Sequence, residues 1–139
     1  MKLTFDVEVR TYELDSYGHV NNAVYLNYFE YTRMKYLEAI GFDYKGLLAE
    51  GYYLYVTKTH INYKHSVFLG DTLTIEVESV KEGAASGLYR QTAYNQDGIL
   101  CADAEVGWAC VSQATGKPAR LPDKYRLATL LQNGETQTK

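Results

Sequence analysis

The chain has 139 residues, 46% of them hydrophobic, two cysteines and a formal net charge of −3. That length suits one domain with a real core and is too short for two, and the hydrophobic share argues against disorder. Without a run of Lys or Arg there is no basic footprint for nucleic acid, and no window approaches a membrane span.

Residues 1–6 alternate like a strand and lack an apolar signal core, so a soluble, cytoplasmic protein is expected. Phe5, Val7 and Val9 alternate with Thr4, Asp6, Glu8 and Arg10, which gives a first strand with one buried face. Next comes Asp15-Ser16-Tyr17-Gly18-His19-Val20-Asn21-Asn22. From residue 23 to 40 no Gly or Pro interrupts, and Gly41 stands where a helix C-terminus wants it. Asn21 or Asn22 is a good N-cap. Within this helix Leu26, Phe29, Leu37 and Ile40 recur at helical spacing. Val24, Tyr25, Tyr28, Tyr31 and Tyr36 widen the apolar surface, so the helix is expected to be mostly covered.

Residues 45–50 fit one further helical turn before Gly51. Four strand signals then follow with no helix between them. The first begins at Tyr52-Tyr53-Leu54-Tyr55-Val56 and runs toward Tyr63; in the second, Leu73, Ile75 and Val77 alternate with polar residues. The third, 88–94, is closed by the hairpin turn Asn95-Gln96-Asp97-Gly98, and 99–112 is a long last strand. Cys101 and Cys110 share that strand, roughly 30 Å apart if extended, so they cannot bridge within one chain and a reducing compartment is the default. Pro122 is placed to open a short helix through Leu131. The domain is expected over 1–132, with a polar tail at 133–139. The order is α+β: one long, nearly all-apolar helix needs a sheet that wraps it, and five strands leave edges that invite a second copy.

The loop at 15–22 is the candidate site. Asp-Ser-Tyr-Gly is common turn chemistry, and an Asx turn explains Asp15 as well as a catalytic role does. Its place just before a helix start favours chemistry. The first N–H groups of a helix lack internal acceptors, and the macrodipole welcomes an anion there. Gly18 suits a backbone conformation that lets the chain turn back. His19 reads equally as a buried structural residue or as part of the site, and Asn21 and Asn22 as plain caps. His19, His60 and His65 lack metal-ligand spacing, so neither metal nor cofactor is expected. Ser16 has no strand–Ser–helix elbow around it, which disfavours a serine hydrolase.

These residues resemble the hotdog-fold thioesterases related to 4-hydroxybenzoyl-CoA thioesterase. The resemblance rests on the strand leading to Asp15, Gly18-His19-Val20-Asn21-Asn22, Tyr25, Glu30 and Arg33, then Ile61-Asn62-Tyr63 and Gly70-Asp71-Thr72-Leu73. It implies a five-stranded antiparallel sheet wrapped around a central helix, in a homodimer or homotetramer with interfacial active sites. The implied reaction is hydrolysis of an acyl-CoA or acyl-ACP thioester. The family's essential carboxylate falls on Asp15, its oxyanion-polarising N–H on Asn22, and the acid that faces the acyl group from the partner subunit on Glu30.

The chain is also similar to plant acyl-ACP thioesterases at Asp15 and His19, but Tyr17 stands where their pattern has Asn. Gly83-Ala84-Ala85-Ser86 replaces the basic turn of some CoA-specific relatives. Lys58, Lys64 or Arg90 is then left to meet CoA phosphates, each with a plain solvated charge as its alternative, or the carrier is a different one. Tyr25 is expected to be core or to bound the acyl group. Glu30 and Arg33, one turn apart, are placed to pair, in the site or at the dimer seam. Asp15 attacks directly, through an anhydride, or activates water. The competing readings are a non-catalytic acyl-thioester binding module and a hotdog enoyl-thioester hydratase.

Overall fold

In the computed structural model, which describes residues 1–137 with side chains through 132, everything is arranged around the helix α1, Val24–Ala39. Its buried face is Tyr25, Tyr28, Phe29, Thr32, Tyr36 and Leu37. Leu26, expected inside, is 47% exposed. The tyrosines take the inner face because they bury the ring and still satisfy the hydroxyl: Tyr28 donates to Glu13 Oε1 (2.9 Å) and Tyr36 to the Met1 carbonyl (3.1 Å).

Five antiparallel strands wrap this helix in the hotdog arrangement: β1 Lys2–Glu8, β2 Tyr52–Tyr63, β3 Thr72–Glu82, β4 Ser86–Tyr94 and β5 Leu100–Ser112, in spatial order β1-β3-β4-β5-β2. Alternation puts Leu73, Ile75 and Val77 of β3 on the helix side, all fully buried. The turn at Asn95 forms as expected: its Oδ1 accepts the N–H groups of Asp97 and Ile99, and Gly98 takes φ +75°. A short helix α2, Tyr44–Ala49, starts at Asp43, which caps the Gly46 N–H. No helix among the described residues is long and apolar enough to cross a membrane.

One buried polar lock fixes the helix against the sheet. Gln91 of β4 donates through Nε2 to the Phe29 carbonyl (2.8 Å) and to Thr32 Oγ1 (2.9 Å). Its Oε1 accepts from Arg33 Nη1 at 3.0 Å. The expected Glu30–Arg33 pair is therefore not made, because Arg33 turns inward to the sheet. Burial pushes its guanidinium below the ordinary value, against the pull of the Glu30 charge.

Edge strand β2 carries a β-bulge between Val56 and Lys58. Before it Leu54 and Val56 share the helix side with their partners Cys110 and Trp108; after it Thr59, Ile61 and Tyr63 do, opposite Val106, Ala104 and Ala102. The extra residue reverses the alternation, and Lys58 is turned to the outer face.

The C-terminal reading needs correction. Pro122 leads into a single 3-10 turn, Asp123–Tyr125, and Arg126 is extended (ψ 136°), so the helix α3 starts only at Leu127 and reaches Gln137. Glu82 supplies its cap, accepting the Leu127 and Ala128 N–H groups at 2.8 and 3.3 Å. The polar tail expected at 133–139 falls on residues whose side chains lie outside the described part.

Candidate active site

The loop between β1 and α1 is anchored by Glu13, only 5% exposed. Its carboxylate accepts the Arg10 N–H (2.7 Å), Arg10 Nη2 (2.8 Å) and the Tyr28 hydroxyl, and its carbonyl accepts the Asn21 N–H at 2.9 Å. One residue thus holds both ends of the loop. Burial alone raises the Glu13 carboxyl, but the bonds from Arg10 and Tyr28 outweigh it and hold the group below the ordinary carboxylate value. A depressed folded value means that this stabilisation is complete above the unfolded value, about 4.3, and is lost as pH falls through the folded one. Glu13→Gln is expected to cost about 1–3 kcal/mol near pH 7 and to flatten the decline of Tm between pH 5 and 3, both read from thermal melts. A wild-type acid limb unchanged in the variant would refute the anchor.

Between the anchors the chain doubles back. Asp15 N–H donates to the His19 carbonyl (2.7 Å), Gly18 N–H to the Asp15 carbonyl (3.1 Å), and Gly18 has φ +81°. Asp15 Oδ1 accepts the N–H groups of Tyr17 (2.8 Å) and His19 (3.2 Å). The Asx turn is real, and it uses one carboxylate oxygen; Oδ2 has no hydrogen-bond partner among the described residues. His19 pairs with Phe68 through the backbone and sets its ring edge-on to Phe68, centroids 5.0 Å apart.

The N-cap is Ala23, without a side-chain cap bond, rather than Asn21 or Asn22 as expected; Asn21 holds the turn ahead of it, its carbonyl accepting the Val24 N–H (2.9 Å) and its Oδ1 the Ala23 N–H (2.9 Å). Asn22 is treated differently. Tyr63 donates to its carbonyl at 3.0 Å, while its N–H has no acceptor among the described residues. Tyr63 also meets the Tyr25 ring at 5.3 Å, and burial pushes the Tyr25 hydroxyl up to about 12.

Asp15, His19, Asn22, Tyr25, Tyr63 and Lys64 border one cleft of about 240 Å³, with His65 and Ser66 at its edge. It therefore joins an acid, an imidazole, an unpaired amide at a helix start and an exposed cation. Gly18 shapes the turn behind it. The other expected binding residues lie elsewhere. Glu30 borders a second cleft beside Arg33; Lys58 is exposed on the outer face of β2. Arg90 sits on the outer face of β4, with Nη2 3.7 Å from Glu105. No cluster able to hold a metal occurs among the described residues. Sequence reasoning missed Glu13 as the anchor, although an acid three residues after Arg10 in a tight turn was a usable signal. The Tyr63–Asn22 bond spans 41 residues and had no local one.

The family model described as the thioesterase-like superfamily matches residues 9–129. Long-chain acyl-CoA thioesterase FadM of Escherichia coli (strain K12) is 32% identical over 121 residues, covering 86% of this chain and 91% of the relative. The chloroplastic acyl-acyl carrier protein thioesterase ATL3 of Arabidopsis thaliana is 29% identical over 124 residues, covering 87% of this chain and 64% of the relative. Among solved structures, a DHNA-CoA thioesterase from Staphylococcus aureus superposes with a TM-score of 0.85 at 26% identity, covering 99% of this chain and 91% of the other.

Proposed function

The chain belongs to the thioesterase-like superfamily, whose hotdog-fold members hydrolyse acyl thioesters, and we propose that it cleaves an acyl-CoA or acyl-ACP thioester at the cleft between Asp15 and Asn22. The carrying observation is the shared position of a carboxylate and an amide N–H left without an acceptor. The thioester carbonyl oxygen sits on the Asn22 N–H, where the helix dipole stabilises the charge that develops during attack. Asp15 adds to the carbonyl carbon and the C–S bond breaks, giving an acyl-aspartyl anhydride that water then hydrolyses; the general-base variant delivers the water directly. Either way one water is consumed and the products are a free acid and a thiol. His19 borders the cleft with no ring hydrogen bond among the described residues and serves the departing thiolate. Lys64 meets phosphate on the carrier.

Two copies pair through β2, the edge strand whose Tyr53, Tyr55 and Val56 are exposed. The protein acts in the cytoplasm. Thiol release measured over short, long and aromatic acyl-CoAs, and the matching acyl-ACPs, tests the reading: saturable release with one acid per thiol is expected. Binding without release, or water addition to an enoyl thioester instead, would overturn it. A single turnover in ¹⁸O-water separates the two routes, since the anhydride can place label in the Asp15 carboxylate and the general-base route cannot.

A further inference from the structure

The turn that carries Asn22 is exposed from residue 21 to 23, so packing does not fix it and its hydrogen bonds must. Asn21 supplies most of them. Its N–H donates to the Glu13 carbonyl, its carbonyl accepts from Val24 and its Oδ1 from Ala23. Asn22 itself makes one bond among the described residues, in which its carbonyl accepts the Tyr63 hydroxyl at 3.0 Å. Its N–H, the proposed oxyanion donor, makes none. Residue 22 is thus held on one side by its neighbour and on the other by a strand 41 residues away.

Tyr63 reaches Asn22 because of the β-bulge. Counting by two from Val56 puts Lys58, His60 and Asn62 on the helix side and turns Tyr63 outward. The extra residue between Val56 and Lys58 brings Tyr63 to the helix side instead, opposite Ala102. Bulges beside active sites re-aim side chains in this way. The strand end under Tyr63 is firmly held: the Lys64 and His65 N–H groups both donate to the Cys101 carbonyl, at 2.8 and 3.1 Å. The ring lies edge-on to that of Tyr25, centroids 5.3 Å apart, and Tyr25 is itself buried. The hydroxyl is therefore presented to the Asn22 carbonyl by groups that do not move with the turn.

We propose that Tyr63 is a positioning residue for the oxyanion site, its hydroxyl fixing residue 22 so that the free N–H stays aimed at the thioester oxygen. The proposal rests on the hydrolase reading and deepens it by naming what preorganises the donor. A preorganised donor stabilises developing charge with no reorganisation at the moment of reaction; a donor on a loose turn loses that advantage. Tyr63 borders the cleft, yet it acts through Asn22 and not on the substrate.

Tyr63→Phe keeps the ring against Tyr25 and removes the hydroxyl. It is expected to lower kcat for thiol release about tenfold, less than the roughly 10²–10³-fold of deleting the oxyanion donor itself. KM is expected to stay within about twofold, because the cleft wall is kept. Tm is expected to stay near that of wild type, since the freed carbonyl belongs to an exposed residue and returns to water. The decisive measurement is a cycle with Asn22→Pro, in which the N–H is already gone. In that background Tyr63→Phe is expected to change kcat by less than about twofold. An equal loss in both backgrounds would mean that Tyr63 acts on the substrate or on the fold, and a raised KM alone would make it a binding contact; either result overturns the proposal.

The ¹⁵N order parameter of the Asn22 amide gives a readout that needs no turnover. It is expected to fall from about 0.85 toward 0.6 in Tyr63→Phe while the values along α1 hold. If no thioester is cleaved but that amide loosens, the hydrolase reading fails and the tether stands. If thioester is cleaved and neither kcat nor the amide responds to Tyr63→Phe, the tether is wrong and the hydrolase reading survives.

Discussion

Asp15→Asn is expected to lower kcat for thiol release by about 10²–10⁴-fold, the range a positioned acid–base or nucleophilic group supplies, while leaving KM and Tm nearly unchanged. The choice of Asn follows from the geometry. Oδ1 accepts the Tyr17 and His19 N–H groups, and an amide oxygen does the same, so the loop keeps its shape. What the substitution removes is the charge and the oxygen that has no partner. Asp15→Ala removes the Oδ1 acceptor of the turn as well, and the difference between the two variants isolates what the turn contributes to positioning. Thermal melts check the fold, and steady-state release on the best acyl-CoA checks the chemistry. If Asp15→Asn kept a third or more of the activity, the carboxylate would be a turn residue only and the proposed mechanism would fall.

How far the sequence discloses this arrangement depends on whether the cause is local. The strands were legible because their alternation is written in adjacent residues, as at Leu73, Ile75 and Val77. The helix was legible because no breaker interrupts it, and its observed span, Val24–Ala39, falls one residue inside each expected end. The buried face was read less well. Hydropathy ranks Leu26 above Thr32, yet Thr32 is buried since its hydroxyl bonds the Tyr28 and Phe29 carbonyls and meets Gln91. That pairing crosses 59 residues and has no sequence signature.

Lys58 illustrates a different failure. Counting by two from Val56 places it on the helix side, and only the bulge reverses it. Arg90 was weighed as a phosphate ligand by charge alone, and its outward position follows from a register in which it opposes Glu105. In the site loop, Asp15, Gly18 and Asn22 were legible because turn chemistry and helix entry are local matters. The cleft that joins Asp15 and Asn22 to Tyr63 and Lys64 was not, because it exists only once β2 folds back against the helix start.

The sharpest remaining test concerns a backbone atom. Asn22→Pro is expected to reduce kcat by about 10²–10³-fold, the effect of deleting one oxyanion donor, whereas Asn22→Ala, which keeps the N–H, changes it by less than about threefold. Proline is an unusually clean reagent here. Asn21 bonds the Val24 and Ala23 N–H groups with its carbonyl and its side chain, so residue 22 stands in the turn two positions ahead of the helix, where proline removes no N–H of the helical ladder. The lost N–H donates to nothing within the described protein, so no folding bond is broken, and the Tyr63 hydroxyl still has the residue 22 carbonyl to bond. The two substitutions therefore differ at the reaction centre by one donor. A melt matching wild type with collapsed kcat identifies that N–H as the group that carries the developing charge. Equal activity in the proline and alanine variants would move the oxyanion site away from residue 22, and with it the reason for placing Asp15 opposite a helix start.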